Sequence, residues 1–332
     1  MLVFSRWLEA PATERNFMLA WLKLIRLPNL PSAIANVLAA FLLVNQSWSA
    51  WPQLLLLLIS SAALYSAGMI LNDVFDVDQD TAQRPQRPIP SGQISLAAAR
   101  KTGLAMLMLG VVAAICAGAV AGTLADVLKC ATVSGLLALA IYLYDGPLKR
   151  TALAPFLMGS CRSLNVMLGG ATAMTVQVGY CLAGFPILLW AVAFAIGLFI
   201  TGVTLLARNE AAAKQSRFWI GASSLLAVAG LAALAMAPRW YQGNLATDEM
   251  VEKVYPFMIA MISVTIIRRL VLCVIQPTSR SVKFAVIASL RSLIVFDAAV
   301  CFLARPDQIV YALVVLALLV PVLVLSRWMY AT

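Results

Sequence analysis

The sequence predicts an all-α fold, a polytopic integral membrane protein of nine or ten transmembrane helices. Three observations predict it. Hydrophobic residues make up 62% of the 332 and charged residues only 11%, with a mean hydropathy of +0.92, a balance foreign to soluble domains. Apolar runs long enough to cross a hydrocarbon core recur along the whole chain. Basic residues gather in alternate connectors between those runs.

In chain order the spans are expected near residues 30–46, 54–72, 103–122, 126–144, 153–174, 183–206, 218–237, 253–275, 284–304 and 309–329. Arg268 with Arg269, then Arg291 and Asp297, interrupt the apolar pattern of the last three. Before the first span, residues 1–22 mix Arg6, Glu9, Glu14 and Arg15 with Phe4, Trp7 and Leu8, which predicts an interfacial segment rather than a secretory signal. The polar connectors 73–101 and 238–252 are too short to fold alone, so residues 1–332 are expected to form a single membrane domain.

Orientation follows from the basic residues. The amino-terminal stretch carries Arg6, Arg15, Lys23 and Arg26. The connectors after spans two, four, six and eight carry Arg84 with Arg87, Lys149 with Arg150, Arg208 with Lys214 and Arg217, and Arg280 with Lys283. Residues 45–53 and 176–181, on the other side, carry none. The positive-inside rule then turns the first set toward the cytoplasm, in what is expected to be a bacterial inner membrane. The net charge of +10 is spread over these loops and calls for no nucleic-acid partner.

Residue types narrow the chemistry further. Histidine is absent, which removes Ser/His/Asp and Cys/His catalysis, His-ligated zinc and an imidazole proton shuttle. The six cysteines lie singly in or beside apolar runs and read as small core residues.

Carboxylates, amides and basic groups remain. LNDVFDVDQD, residues 71–80, closes the second span and places four aspartates within eight residues at a membrane boundary. At 3.6 residues per turn Asn72, Asp73, Asp76 and Asp80 share roughly a 100° arc, and Asp78 points away. Acids that close need cations to stay ionised, and hard oxygen ligands of this kind suit Mg²⁺ with a phosphorylated substrate. A solvated acidic turn is the alternative. TAQRPQRPIPSG follows, in which Pro85, Pro88 and Pro90 forbid helix and are expected to hold Arg84 and Arg87 in an extended loop as an anion clamp, or as anchors to lipid headgroups.

The fourth span ends on the same side in YDGPLKRT, where Lys149 and Arg150 are candidate phosphate ligands. Asp145 there is a metal ligand, a partner for Lys149 or, most readily, a turn former before Gly146 and Pro147. MGSCRSLNVMLGG, residues 158–170, sets Arg162 and Asn165 one helical turn apart near the membrane boundary, and a guanidinium there needs an anionic partner. Asn72, Asp76, Asp80, Arg87, Lys149 and Arg162 are expected to converge on one cytoplasm-facing cavity.

NDVFDVDQD resembles the NDxxDxxxD motif of the UbiA superfamily of intramembrane prenyltransferases, and RPQRPIPSG resembles the loop after it. KLIRLPNLP, residues 23–31, resembles the start of that family's first helix, and YDGPLKRT the basic element closing its fourth. MGSCRSLNVMLG with TLLARNE is most similar to the EboC-like branch. The resemblance implies helices around a central cavity, a prenyl diphosphate held through Mg²⁺, an isoprenoid tail among membrane lipids, and transfer of the isoprenyl group to an acceptor not named by the sequence. It implies that Asn72, Asp76 and Asp80 hold the metal, that Lys149 and Arg87 bind diphosphate, and that Arg26 and Asn29 line the cavity.

The residues and the resemblance together give Asp73, Asp76, Lys149 and Arg162 as catalytic candidates. Asn29, Arg26, Asn72, Arg84, Arg87, Arg150, Asn165, Arg208 and Glu210 are the substrate-binding candidates. The family's second acidic motif, DxxxD, is missing: the place reads TGVTLLARNEAAAKQ. Either Glu210 alone supports a second ion, or a single metal suffices, or Arg208 supplies a fixed positive charge instead, the option favoured here. A lipid transporter or a scaffold of the same fold without turnover is the alternative. The acids, however, lie at one membrane face rather than the midplane, and hydropathy shows no inverted repeat.

Overall fold

The computed structural model describes residues 12–172, 181–210, 216–240 and 249–330. It is helical nearly throughout. The order is α1 (Ala12–Leu24), a short 3₁₀ turn at Leu27–Asn29, α2 (Leu30–Asn45), α3 (Trp51–Phe75), α4 (Val77–Gln83), α5 (Leu96–Ala121), α6 (Leu124–Asp145) and α7 (Ala154–Gly169). Then come α8 (Ile187–Glu210), α9 (Arg217–Ala235), α10 (Glu249–Ile275), α11 (Ser279–Ala304), α12 (Ile309–Ala317) and α13 (Leu319–Tyr330). Among the described residues the one strand pairing is a short hairpin, β1 (Cys181–Leu182) against β2 (Phe185–Pro186), turned by Ala183 and Gly184, both at positive φ.

Among the described residues nine helices are long and apolar enough to cross a membrane. The last three expected spans, despite their charges, are among them. The expected span over 153–174 is the one that falls short. Pro155 starts α7 and Gly170 caps it, leaving 16 residues, about 24 Å of helix against a hydrocarbon core of about 30 Å. Even so, α7 links opposite ends of the bundle: Thr151, just before it, bonds Arg208 at the end of α8, while Gly170, just after it, lies against Val44 and Leu189.

Helices approach closely where glycine removes a side chain, the usual device where lipid gives no hydrophobic drive to associate. Gly103 and Gly110 of α5 receive Leu71 and Leu64 of α3; Gly202 of α8 lies against the backbone of α9 at Ser223 and Ala227. At Gly68 a side chain would press on Ile141 of α6, so this glycine sets the α3–α6 distance that brings Asp145 beside the end of α3.

The functional end is shaped by three chain breaks. α3 stops at Phe75, and Asp76 (φ −91°, ψ 5°) joins it to α4. The hydrogen-bond ladder survives the junction, since Asp76 N–H donates to Asn72 (3.0 Å) and Asp80 N–H to Asp76 (2.8 Å). The expected common face of Asn72, Asp73, Asp76 and Asp80 therefore persists, and Asp78 is exposed as expected.

The loop after it differs from expectation. α4 runs on through Gln83, and the prolines then impose successive turns rather than an extended strand: Arg87 N–H donates to Arg84, Ser91 N–H to Arg87 and Ile94 N–H to Pro88. Ile89 and Ile94 bury with Ala20, Leu24, Ile70 and Ala99, which pins both α1 and this loop over the end of α3. Between α1 and α2, Arg26 adopts the left-handed conformation (φ 50°, ψ 52°), a strain of about 1–2 kcal/mol for a residue with a Cβ.

Candidate active site

Nine side chains meet at the end of α3. Asp73 Oδ1 accepts from Arg26 Nη2 at 3.1 Å and from Arg87 Nη1 at 3.3 Å. Arg87 Nη1 also donates to Asp80 Oδ2 at 2.6 Å, and Arg84 approaches the other Asp80 oxygen at 3.8 Å. Lys149 Nζ donates to Asp76 Oδ2 at 2.5 Å, and Asn72 Nδ2 to Asp145 Oδ1 at 3.2 Å. Residues distant in sequence thus close into one array of four carboxylates, four cations and an amide.

Burial explains why every acid has a partner. Asp73, Asp80 and Asp145 are 6%, 2% and 3% exposed, and charges removed from water persist only when paired and hydrogen-bonded. Asp76, Lys149 and Arg87 keep more of their surface and face the open side of the array. Here the left-handed backbone of Arg26 acquires a reason: it turns the chain where the guanidinium must reach Asp73, and strained residues held by their surroundings cluster at such sites.

Other expected residues take other places. Asp145 is not the turn former, because Gly146 and Pro147 make the turn while its carboxylate points back to Asn72; Lys149 pairs with Asp76 instead. Asn29 and Arg150 are exposed, the backbone carbonyl of the former accepting from Ser32 Oγ (2.8 Å). Arg208 Nη1 donates to the Thr151 carbonyl at 2.6 Å, which fastens α8 to the loop carrying Lys149 and Arg150. Glu210 ends α8, and its side chain lies outside the described residues, as do Lys214 and residues 176–180.

Two expectations need correction. Asn165 does not face a ligand. It is buried, donates to the Ala33 carbonyl (2.9 Å) and accepts from Ser61 Oγ (2.8 Å), so its amide is spent joining α7 to α2 and α3. Arg162 lies not at the boundary but eight residues into α7, about 12 Å along its axis, and it does not join the array. It donates to Asn36 Oδ1 (2.9 Å) and Ser32 Oγ (3.1 Å). Asn36 in turn donates to both oxygens of Asp297, at 2.7 and 2.8 Å. The anionic partner expected for Arg162 is thus Asp297, 135 residues on and relayed through an amide. Ser32, Asn36 and Asp297 were missed as site residues; an acid interrupting an apolar span was the available signal.

Among the described residues no three acidic or thiol side chains gather as a ready cage for a metal ion. The donor set nevertheless fits Mg²⁺, which takes one or two carboxylates and completes its shell with water and phosphate oxygens. Asp76 has one oxygen outside the Lys149 bond, and the Asn72 carbonyl oxygen is not engaged by the Asp145 contact. Phosphate is the natural second partner of the lysine and arginines that now hold the acids.

A helical membrane bundle with an acid-and-base array at one end defines a class, multi-pass membrane proteins equipped to hold a polyanion. The chain belongs to the UbiA prenyltransferase family, whose model matches residues 33–216, more than half of its length. Digeranylgeranylglyceryl phosphate synthase of Ignicoccus hospitalis is 32% identical over 160 residues, 48% of this chain and 49% of that one; its namesake from Sulfurisphaera tokodaii is 29% identical over 46% and 51%. The chain thus spans about half the length of the curated relatives it matches. Among solved structures, one described as a UbiA homolog from Archaeoglobus fulgidus bound to GPP and Mg2+ superposes with a TM-score of 0.57 at 14% identity, covering 81% of this chain and 98% of that one. A digeranylgeranylglyceryl phosphate synthase structure gives 0.59 at 18% identity over 89% and 98%. At these identities the likeness establishes the fold.

Proposed function

We propose that the protein is an intramembrane prenyltransferase that moves an isoprenyl group from a prenyl diphosphate to an acceptor with the help of Mg²⁺. One observation carries this reading: Asp73, Asp76 and Asp80 are each held by a basic side chain that a diphosphate would claim. Asp76 and Asn72, with Asp80 behind them, would hold the ion. When bound, it would offset negative charge on the departing diphosphate. Lys149 and Arg87 would turn from Asp76 and Asp80 to phosphate oxygens, so that charge lost in one pair is regained in another. Arg208, fixed to Thr151 beside Lys149 and Arg150, supplies a permanent positive charge where the second acidic motif is missing.

Asp73, held by two arginines, keeps Arg26 and Arg87 aimed at the substrate and serves as a positioning residue. The apolar bundle around the array excludes water that would quench a reactive allylic carbon.

Residues 1–332 form a single UbiA-like domain in this reading, with residues 1–22 at the interface, and the likeness of MGSCRSLNVMLG and TLLARNE supports an EboC-like branch. The basic connectors support a cytoplasmic face for the array by the positive-inside rule. The curated relatives reported above are archaeal, so the host membrane is assigned no further. The names of those relatives favour an acceptor of glycerophosphate type.

Purified protein with Mg²⁺ and a panel of labelled prenyl diphosphates tests the reading. Wild type should release diphosphate. Asp76→Asn should lower release by about 100-fold, the scale of losing one group that stabilises developing charge, with unchanged thermal unfolding. Normal turnover by Asp76→Asn would refute the assignment.

A further inference from the structure

The geometry points to a second anion site at Arg162, deeper than the diphosphate array, which receives a single carboxylate or phosphate group on the acceptor. A guanidinium carries five N–H donors. Nη1 spends two, on Asn36 Oδ1 (2.9 Å) and the Ser32 carbonyl (3.4 Å), and Nη2 spends one on Ser32 Oγ (3.1 Å). Among the described residues the Nε hydrogen and the second Nη2 hydrogen take no partner. Those two project side by side from one edge of the plane, the edge that grips a carboxylate or phosphate with two parallel bonds.

Exposure separates this arginine from the groups that hold it. Asn36 and Asp297 are each 1% exposed, sealed among α2, α7 and α11, whereas Arg162 keeps accessible surface despite standing two helical turns inside the bundle. Asp297 never touches the guanidinium. Its two oxygens both accept from Asn36 Nδ2, which turns the Asn36 oxygen toward Arg162, so Asp297 and Asn36 are positioning residues for a half-buried cation. A structural ion pair would close the arginine directly on its acid. Charged groups at this depth generally mark a site or a pathway. The array at the end of α3 already supplies the cations for a diphosphate, so this one remains for the second substrate. That assignment rests on the transferase reading above.

Titration calorimetry on the full chain in nanodiscs of zwitterionic lipid tests it, with benzoate as a small aromatic acid, dihexanoyl phosphatidate as a phospholipid and benzamide as the uncharged control. One anion or both should bind at least tenfold more tightly than benzamide, and the stronger names the source. Removing Arg162 alone would leave Asp297 buried without a counter-charge, so the main variant is Arg162→Gln with Asp297→Asn, which keeps the interior neutral; Arg162→Lys keeps the charge but not the paired donors. Both should lose the preference by tenfold or more. Geranyl diphosphate with Mg²⁺ should still bind the double variant and should not displace the anion from wild type. Equal binding of benzamide, undiminished anion binding in the double variant, or competition by geranyl diphosphate would each overturn the proposal. If wild type fails to bind geranyl diphosphate while anion binding still depends on Arg162, the anion site stands and the transferase reading falls.

Discussion

Asp73 shows how much a single carboxylate organises. It joins Arg26, from the break before α2, to Arg87, from the loop after α4, so one side chain fixes two segments that share no backbone hydrogen bond with it. Replacing it with alanine leaves both guanidinium groups without that partner in a partly dry setting, a loss of about 3 kcal/mol. Asp73→Ala should therefore lower the thermal midpoint clearly, whereas Asp76→Asn, at a more accessible pair, should leave it in place while lowering turnover. The two measurements together separate an acid that holds the site from one that works in it. At this scale the sequence was informative about charge and silent about distance. Spacing put Asn72, Asp73, Asp76 and Asp80 on one face correctly, because helical geometry is local. It could not pair Lys149 with Asp76 rather than Asp145, or Arg162 with Asn36 and Asp297, because those contacts depend on which helices become neighbours.

At the scale of elements, hydropathy located the long helices and misjudged the exception. The charges Arg268, Arg269 and Arg291 left the last three spans intact, since arginines facing outward on a membrane helix reach to the interface with their stems along it. α7 was shortened instead by its own Pro155 and Gly170, punctuation that residue averages dilute. The loop after α4 likewise turned where an extended course was expected, because proline forbids helix without choosing among the alternatives. One cap is open to improvement. α2 ends at Gln46 in the left-handed conformation (φ 54°), with its N–H donating to Leu42, a position where glycine avoids a strain of about 1 kcal/mol. Gln46→Gly should raise the thermal midpoint without altering diphosphate release, since the hydrogen bonds at this cap, the N–H to Leu42 and the carbonyl accepting from Arg305 at 2.9 Å, are made by its backbone and survive the change.

Across the whole molecule, the two polar assemblies sit at different depths of one bundle, and their separation suits a reaction that must bring a charged donor and a second substrate together away from water. The array at the end of α3 lies beside the basic connectors, and the cytoplasmic side proposed for it rests on the positive-inside rule. A reporter active only outside the cytoplasm should work when fused after Gly122 and fail when fused after Thr151; the reverse pattern would turn the array outward.

The central claim is an exchange of partners at Asp76. A structure of the full chain with Mg²⁺ and a non-hydrolysable prenyl thiodiphosphate measures it directly, through the separation of Lys149 Nζ and Asp76 Oδ2, now 2.5 Å. The account predicts that this pair opens, with Lys149 on a phosphate oxygen and Asp76 on the metal. A diphosphate bound elsewhere, with the Lys149 and Asp76 bond intact, would contradict it.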